Sequence, residues 1–161
     1  MILAIVRHGK AESGSTSGRD ADRPLTPRGT RQAAYLAEEL ATRVAGCRIA
    51  TSDAVRARDT AAIIADALGA SLTFDDRLRV DEPLPPVLDL IRTHARDTDA
   101  PLVVVGHNPQ FSRLCGVLTL GHASQGLELK TGAAAVIELN IDPDDLSDPR
   151  GTLAATLRLT D

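Results

Sequence analysis

The sequence predicts an α/β fold in which helices cover both faces of a mainly parallel, mixed β-sheet. Short apolar runs alternate with helical segments over residues 1–120, as in strands joined by helical crossovers. Two further strand-like segments lie at the C-terminal end of the sequence, so the sheet can include an antiparallel strand. The 161 residues favour a single domain, 1–161, with its own core.

The first strand and helix are separated by a long loop. Residues 2–6 are a fully apolar run of strand length, and residues 9–25 form a Gly- and Ser-rich loop that we expect to be mobile. Thr26 followed by Pro27 is typical of a helix N-terminus. Apolar residues keep helical spacing from there to Val44, which predicts the first helix.

A second strand–helix unit and a third strand follow. Residues 47–51 form a brief strand, and Ser52 is a plausible N-cap for a helix that Gly69 ends. Residues 71–74 are the third strand candidate. Residues 75–86 are predicted to form a loop.

The second half of the chain holds three more strands and two helices. The strands are predicted over residues 102–106, 133–141 and 152–160. Helices are predicted over residues 87–96 and from Asn108, where a cap residue again precedes a proline, to about Leu120. Residues 142–151, rich in Asp and Pro, are the expected turn between the last two strands.

Charge and aromatic content disfavour a nucleic-acid partner. The net charge is −4, but residues 1–60 hold ten Lys/Arg against seven Asp/Glu. A basic N-terminal part on an acidic protein suits a local anion site better than a nucleic-acid surface. Aromatic residues make up only 2% of the chain, which leaves little for base stacking.

The cysteines and the N-terminus indicate an ordinary cytoplasmic protein. Cys47 and Cys115 form no CxxC pair, so we predict neither a disulfide framework nor a zinc site. The N-terminal apolar run lacks a basic region and a cleavage site. No apolar run approaches the ~20 residues of a membrane span.

Polar residues end three of the predicted strands, and these ends should meet. The three segments are Arg7-His8-Gly9, Thr51-Ser52 with Arg56 close behind, and Gly106-His107-Asn108. In doubly wound sheets, ligands bind outside the carboxyl ends of the strands. Arg28 and Arg56 also stand in or near first helical turns, where a cation opposes the helix dipole. An anion between them would remove that conflict.

Other phosphate and hydrolase chemistries lack their motifs. The chain has no GxxxxGK[ST] loop, no HExxH, and no cysteine followed by five residues and an arginine. Asp97-x-Asp99 precedes a strand instead of ending one, and residues 14–18 narrowly miss G-x-S-x-G. Histidine is therefore the best nucleophile, with Arg7, Arg56 and His107 able to hold the equatorial phosphoryl oxygens.

The sequence resembles the histidine phosphatase superfamily, with its phosphoglycerate mutase-like fold. The matching segments are Arg7-His8-Gly9, residues 23–29, residues 52–60 and Gly106-His107-Asn108-Pro109. From the first to the last, these ordered motifs span residues 7–109, about two-thirds of the chain. The short length and the Gly-His-Asn-Pro segment most resemble SixA-type phosphohistidine phosphatases.

The resemblance implies a fold, a mechanism and a site. It implies a three-layer α/β/α sandwich with one antiparallel strand, and chemistry without metal or cofactor. It implies that His8 is the phosphorylated nucleophile, while Arg7, Arg56 and His107 form the phosphate pocket. Ser52 is expected to be either a helix cap or a further substrate-binding residue. Lys10, Arg19 and Arg23 would bind substrate only if the loop closes over it as a lid.

One departure from the superfamily pattern bears on the substrate. Esterase and mutase members usually carry an acidic proton donor in a Leu-x-Glu context, where this chain has Leu78-Arg79-Val80. An alkoxide leaving group needs a proton, whereas the imidazole of phosphohistidine can leave already protonated. We therefore predict a phosphohistidine phosphatase that acts on a signalling protein. The alternatives are a small-molecule phosphomonoesterase using Asp81 or Glu82 as the acid, and a non-catalytic phosphate-binding module.

Overall fold

Strands and helices alternate along the chain in the computed structural model, which describes residues 1–123, 127–142 and 145–160. In chain order the main elements are β1 (Ile2–Arg7), α1 (Pro27–Leu40), β2 (Arg48–Thr51), α2 (Val55–Leu68), β3 (Ser71–Phe74), α3 (Leu84–Asp97), β4 (Leu102–Gly106), α4 (Gln110–Leu120), β5 (Ala133–Asp142) and β6 (Asp145–Arg158). Two 3₁₀ turns, Asp20–Asp22 and Asp76–Leu78, interrupt the loops. Within these ranges no helix is long and apolar enough to cross a membrane.

The six strands form one mixed sheet in the order β3-β2-β4-β1-β5-β6. The pairs β2–β3, β2–β4 and β1–β4 are parallel, while β5 is antiparallel to both β1 and β6. One strand therefore runs against the other five, as expected. Arg7 pairs with Gly106, and Thr51 pairs with Val105, so β1, β2 and β4 end at the same edge.

The sheet separates two apolar cores and makes the molecule a three-layer α/β/α sandwich. Side chains alternate along β1, so Leu3 and Ile5 face the layer of α3 and α4, while Ala4 and Val6 face α1 and α2. Both sets are fully buried. Because parallel strands covered on both faces are apolar throughout, the uninterrupted runs seen in β1 and β4 follow from the architecture.

The first helix is shorter than its sequence pattern suggests. Thr26 caps α1 as predicted, since its hydroxyl accepts from the Gly29 N–H. The helix ends at Leu40, however, and not at Val44. The chain tightens there into i→i+3 bonds, with the Arg43 N–H donating to the Leu40 carbonyl. Val44 remains fully buried in this turn, which accounts for its helix-like apolar spacing.

The starts of the next three helices also differ from prediction. Ser52 is not the N-cap of α2, because that position is Ala54. Helix α3 begins at Leu84 and not at residue 87, since its prolines occupy the first turn, where a missing N–H costs nothing. Asn108 precedes the N-cap of α4, although its side-chain oxygen still accepts from the Ser112 N–H.

The last strand is longer than predicted. β6 begins at Asp145, where the sequence analysis placed a turn extending to residue 151. Its pairing with β5 shifts register twice, and it is the edge strand of the sheet. An edge strand tolerates proline because one side has no ladder partner, so Pro149 does not end it. The expected turn is therefore wrong over 145–151, and residues 143–144 lie outside the described ranges.

Two glycines let the turn after β1 pack directly on the first turn of α1. A Cβ on Gly9 would lie 2.6 Å from the Gly29 carbonyl oxygen, and a Cβ on Gly29 would overlap the Lys10 carbonyl oxygen. Both obstacles are backbone atoms, which cannot rotate away. This close approach fixes the residues that follow His8.

We predict that Gly29→Ala lowers the free energy of unfolding by about 1–3 kcal/mol, the usual cost of overpacking. The backbone clash should outweigh the better helix propensity of alanine. Urea denaturation measures the change, with Gly14→Ala as the control because a Cβ there meets no atom within 4 Å. A Gly29→Ala variant as stable as wild type would show that the two turns are not held in contact.

Candidate active site

The backbone holds His8 at the sheet edge from both sides. Its N–H donates to the Gly106 carbonyl at 3.1 Å, and its carbonyl accepts from the Gly132 N–H at 2.9 Å. The next residue is fixed as well, because the Gly9 N–H donates to the Thr60 hydroxyl at 3.0 Å. Bonds to β4, α2 and the start of β5 thus determine where the imidazole stands.

The two ring nitrogens of His8 have partners that select one tautomer. Nδ1 lies 2.8 Å from the Gly9 carbonyl oxygen, which can only accept, so Nδ1 carries the hydrogen. Nε2 faces the Arg56 Nε–H at 3.3 Å, which can only donate, so Nε2 presents a lone pair. Burial and the charges of Arg56 and Arg7 lower the pKa of His8 to about 4, against the Gly9 bond, which raises it. The ring is a neutral nucleophile near pH 7.

Arg56 is buried in the first turn of α2 and is held by Asp20. Its Nη1 donates to the Asp20 carbonyl at 2.9 Å, and its Nη2 donates to the Asp20 carboxylate at 3.1 Å. The same carboxylate accepts from Arg23 Nε at 2.9 Å. Burial acts to raise the pKa of Asp20, but Arg56 and Arg23 together bring it below its usual value. Asp20 is thus an ionised bridge between two guanidinium groups.

His107 lies beside His8, with the ring centroids 5.2 Å apart. Its Nε2 is 2.8 Å from the Ser52 hydroxyl, and its Nδ1 is buried without a partner among the described residues. Burial, His8 and Arg56 lower the pKa of His107 to about 3. The ring is therefore neutral, and it lines the cavity with one polar atom that no described residue satisfies.

Arg7 ends β1 with a guanidinium that is only partly satisfied. Its Nη1 donates to the Leu129 carbonyl at 3.1 Å, whereas its Nε is buried and has no partner within the described part of the chain. Burial lowers the pKa of Arg7, opposed by the charge of Glu128. An unsatisfied buried N–H of a cation is a strong binding point for an oxyanion.

These side chains surround one cavity of about 300 Å³. The cavity is lined by Arg7, His8, Lys10, Ala11, Arg23, Arg56, Val80, His107, Asn108 and Thr131. The four residues predicted to form a phosphate pocket, at positions 7, 8, 56 and 107, therefore do converge. Among the described residues the lining includes cationic groups and neutral hydrogen-bond donors but no carboxylate, so the cavity suits a phosphoryl group.

Several other predicted candidates lie elsewhere. Ser52 does not line the cavity and contacts it through His107. Arg28 does not line it either, so the expectation that it shares an anion with Arg56 is not supported. Asp81 and Glu82 line a separate pocket with Arg113, whereas Val80 faces the cavity.

Sequence reasoning gave no role to Asp20 and expected Arg23 to be a solvated charge unless the loop closes. The loop that carries them folds back on itself, with an Ala11–Leu25 bridge and a 2.8 Å bond from the Glu12 N–H to the Pro24 carbonyl. The signal was present in the Asp-x-x-Arg spacing, which lets Asp20 and Arg23 pair across one 3₁₀ turn. The contact between Asp20 and Arg56 joins residues far apart in the chain, so no local sequence pattern reveals it.

Comparison with known proteins gives consistent matches. A model of the histidine phosphatase superfamily (branch 1) matches residues 3–79. An uncharacterized protein of Picosynechococcus is 34% identical over 134 residues, which is 81% of this chain and 80% of that protein. The probable phosphoglycerate mutase GpmB of Citrobacter koseri is 40% identical over 77 residues, 47% of this chain but only 35% of that protein.

Solved structures of similar proteins cover nearly the whole chain. The protein histidine phosphatase SixA complexed with tungstate matches with a TM-score of 0.84 and 25% identity, over 98% of this chain and 97% of that one. The putative phosphohistidine phosphatase SixA from Agrobacterium tumefaciens matches with a TM-score of 0.77 and 25% identity, over the same shares of the two chains.

The neutral imidazoles predict how stability depends on pH. In the unfolded chain both rings have a pKa near 6.5, whereas the folded values are about 4 and about 3. The unfolded state therefore binds more protons as the pH falls below about 6.5. Stability is fully present above that pH and is lost as the pH falls through the folded pKa values.

We predict that the double variant His8→Gln/His107→Gln loses part of this dependence. Each histidine removed should reduce the slope of unfolding free energy against pH by up to about 1.4 kcal/mol per pH unit within the window. Chemical denaturation at a series of pH values measures the slope. Equal slopes for variant and wild type would mean that the folded protein protonates these rings as readily as the unfolded chain does.

Proposed function

The chain belongs to the histidine phosphatase superfamily and is a phosphatase, and we propose that it works through a phospho-His8 intermediate and takes phosphohistidine on a protein as its substrate. The observation that carries the mechanism is the environment of His8, whose Nε2 lone pair meets the arginine of a cationic cavity. A module that only binds phosphate has no need of a nucleophile held neutral in this way.

In the first step, His8 Nε2 attacks phosphorus and the bond to the leaving group breaks. The Gly9 carbonyl accepts the Nδ1 hydrogen and stabilises the positive charge that develops on the ring. Arg7, Arg56 and His107 hold the phosphoryl oxygens, and most of the rate enhancement comes from this positioning and charge stabilisation.

In the second step, water attacks phosphorus and the bond to Nε2 breaks. The electron pair returns to His8, and the protons of the water leave with the product phosphate. The same three donors hold the oxygens in both steps, because the phosphoryl group remains in one cavity while the nucleophile and the leaving group exchange roles.

Val80 bears on the substrate class because it stands where an acidic proton donor is expected in esterases of the superfamily. This side chain lies in the cavity lining, whereas Asp81 and Glu82 line the separate pocket that contains Arg113. No carboxyl group among the described residues lines the cavity to protonate an alkoxide. An imidazole protonated on its distal nitrogen leaves without that help, which favours a P–N bond. The likeness to SixA phosphatases supports the same choice.

A small phosphorylated acid is the second candidate substrate. Lys10 and Arg23 line the cavity beyond the four central residues, and they could bind an anionic leaving group. The partial match to a probable phosphoglycerate mutase points in the same direction. Both candidates use the same His8 chemistry and differ in the group that departs.

We predict that Val80→Glu raises the hydrolysis of an alkyl phosphate, because it supplies the missing proton donor, by about 10²-fold or more. The matched control is Val80→Gln, which has nearly the same shape and no acidic proton. Steady-state kcat/KM for a phosphohistidine peptide and for a simple alkyl phosphate should be measured with wild type and both variants.

Wild type should prefer the phosphohistidine peptide, and only the glutamate variant should gain activity on the ester. Wild type with equal or better activity on the alkyl phosphate would overturn the proposed substrate. Wild type that binds inorganic phosphate but hydrolyses neither substrate would support the binding-module alternative.

A further inference from the structure

We infer that Ser52 is a positioning residue, which fixes the tautomer of His107 so that its Nδ1–H faces the cavity. The use of that hydrogen, as a donor to a phosphoryl oxygen, rests on the proposed function. The tautomer itself follows from contacts in the unliganded protein. Ser52 stands directly after β2 with 0% of its surface exposed, so water does not compete for its hydroxyl.

The hydrogen-bond inventory of Ser52 decides the direction of its bond to His107. The oxygen accepts from the Ala54 N–H at 3.2 Å, and it lies 2.8 Å from His107 Nε2. A serine hydroxyl has one hydrogen to donate. Among the contacts of the described residues, His107 Nε2 is the acceptor available to it. Ser52 therefore donates, Nε2 accepts, and the ring hydrogen of neutral His107 is on Nδ1.

The opposite tautomer would leave one more polar group unsatisfied than the assigned tautomer does. If Nε2 carried the hydrogen and donated to Ser52, the serine hydrogen would have no acceptor among the described residues. His107 Nδ1, which is buried without a partner in the described part of the chain, would then direct a lone pair toward the bound anion. Buried unsatisfied groups are costly, and two lone pairs facing each other add electrostatic repulsion.

This assignment gives the two histidines opposite functions from the same tautomer. Both rings carry their hydrogen on Nδ1, but His8 uses it to bond Gly9 and presents its Nε2 lone pair. His107 uses its Nε2 to bond Ser52 and presents its Nδ1–H. One ring is thereby a nucleophile and the other a neutral hydrogen-bond donor. The pKa of about 3 for His107 agrees with a donor that stays uncharged.

The test is ¹⁵N NMR of the imidazole nitrogens in the unliganded protein. His107 should show a protonated Nδ1 and an unprotonated Nε2, with its signals assigned from their loss in His107→Gln. In Ser52→Ala the Nε2–H form should appear, while the His8 signals keep their wild-type tautomer. Thr119→Ala, which removes a hydroxyl bonded within α4, should change neither ring.

Activity provides the second readout. Ser52→Ala should lower kcat on a phosphohistidine peptide by about 10-fold, the loss of one hydrogen bond in the transition state. Ser52→Thr, which keeps a hydroxyl at this position, should retain both the wild-type tautomer and the wild-type rate. If its added methyl group prevents folding, Ser52→Cys tests whether another hydrogen-bond donor suffices.

An Nε2–H tautomer in wild type, or an unchanged tautomer in Ser52→Ala, would overturn the inference. Because the NMR signals are read without substrate, a protein without turnover but with the expected tautomers would refute the proposed function and leave this inference standing.

Discussion

The hydrogen bond from His8 Nδ1 to the Gly9 carbonyl is the interaction on which the site depends. It places the ring hydrogen on Nδ1, away from Arg56, and leaves Nε2 unprotonated with a lone pair. The bond holds its geometry because Gly9 is itself tied to Thr60 and packed on Gly29. Close packing of two glycine backbones thus determines the chemistry of an imidazole, and burial keeps that imidazole neutral.

The second constraint is the concentration of positive charge around a buried space. Arg7, Arg23 and Arg56 line the same cavity, and like charges at close range oppose one another. Asp20 relieves part of this repulsion by pairing with two of the three guanidinium groups. Arg7 keeps a buried N–H without a protein partner in the described ranges. A bound phosphoryl group would satisfy that N–H and offset the remaining charge, so this arrangement of cations favours an anionic ligand.

The sequence was most informative where a strand ends in a polar residue. Arg7, His8 and His107 follow apolar runs, and the rule that parallel strands end at one edge predicts that they lie together. Contacts between residues far apart in the chain were not predictable in this way. Asp20 reaches Arg56 across 36 residues, and Ser52 reaches His107 across 55. Local patterns misled where tertiary packing decided the outcome, as with the turn that buries Val44 and the edge strand that accommodates Pro149.

A crystal structure with vanadate tests most directly whether four distant side chains act on one phosphoryl group. We expect vanadium to bind to His8 Nε2, with Arg7, Arg56 and His107 on its equatorial oxygens and Val80 near the leaving-group side. Vanadate held elsewhere, or bound in the cavity without contact to His8 Nε2, would contradict this expectation.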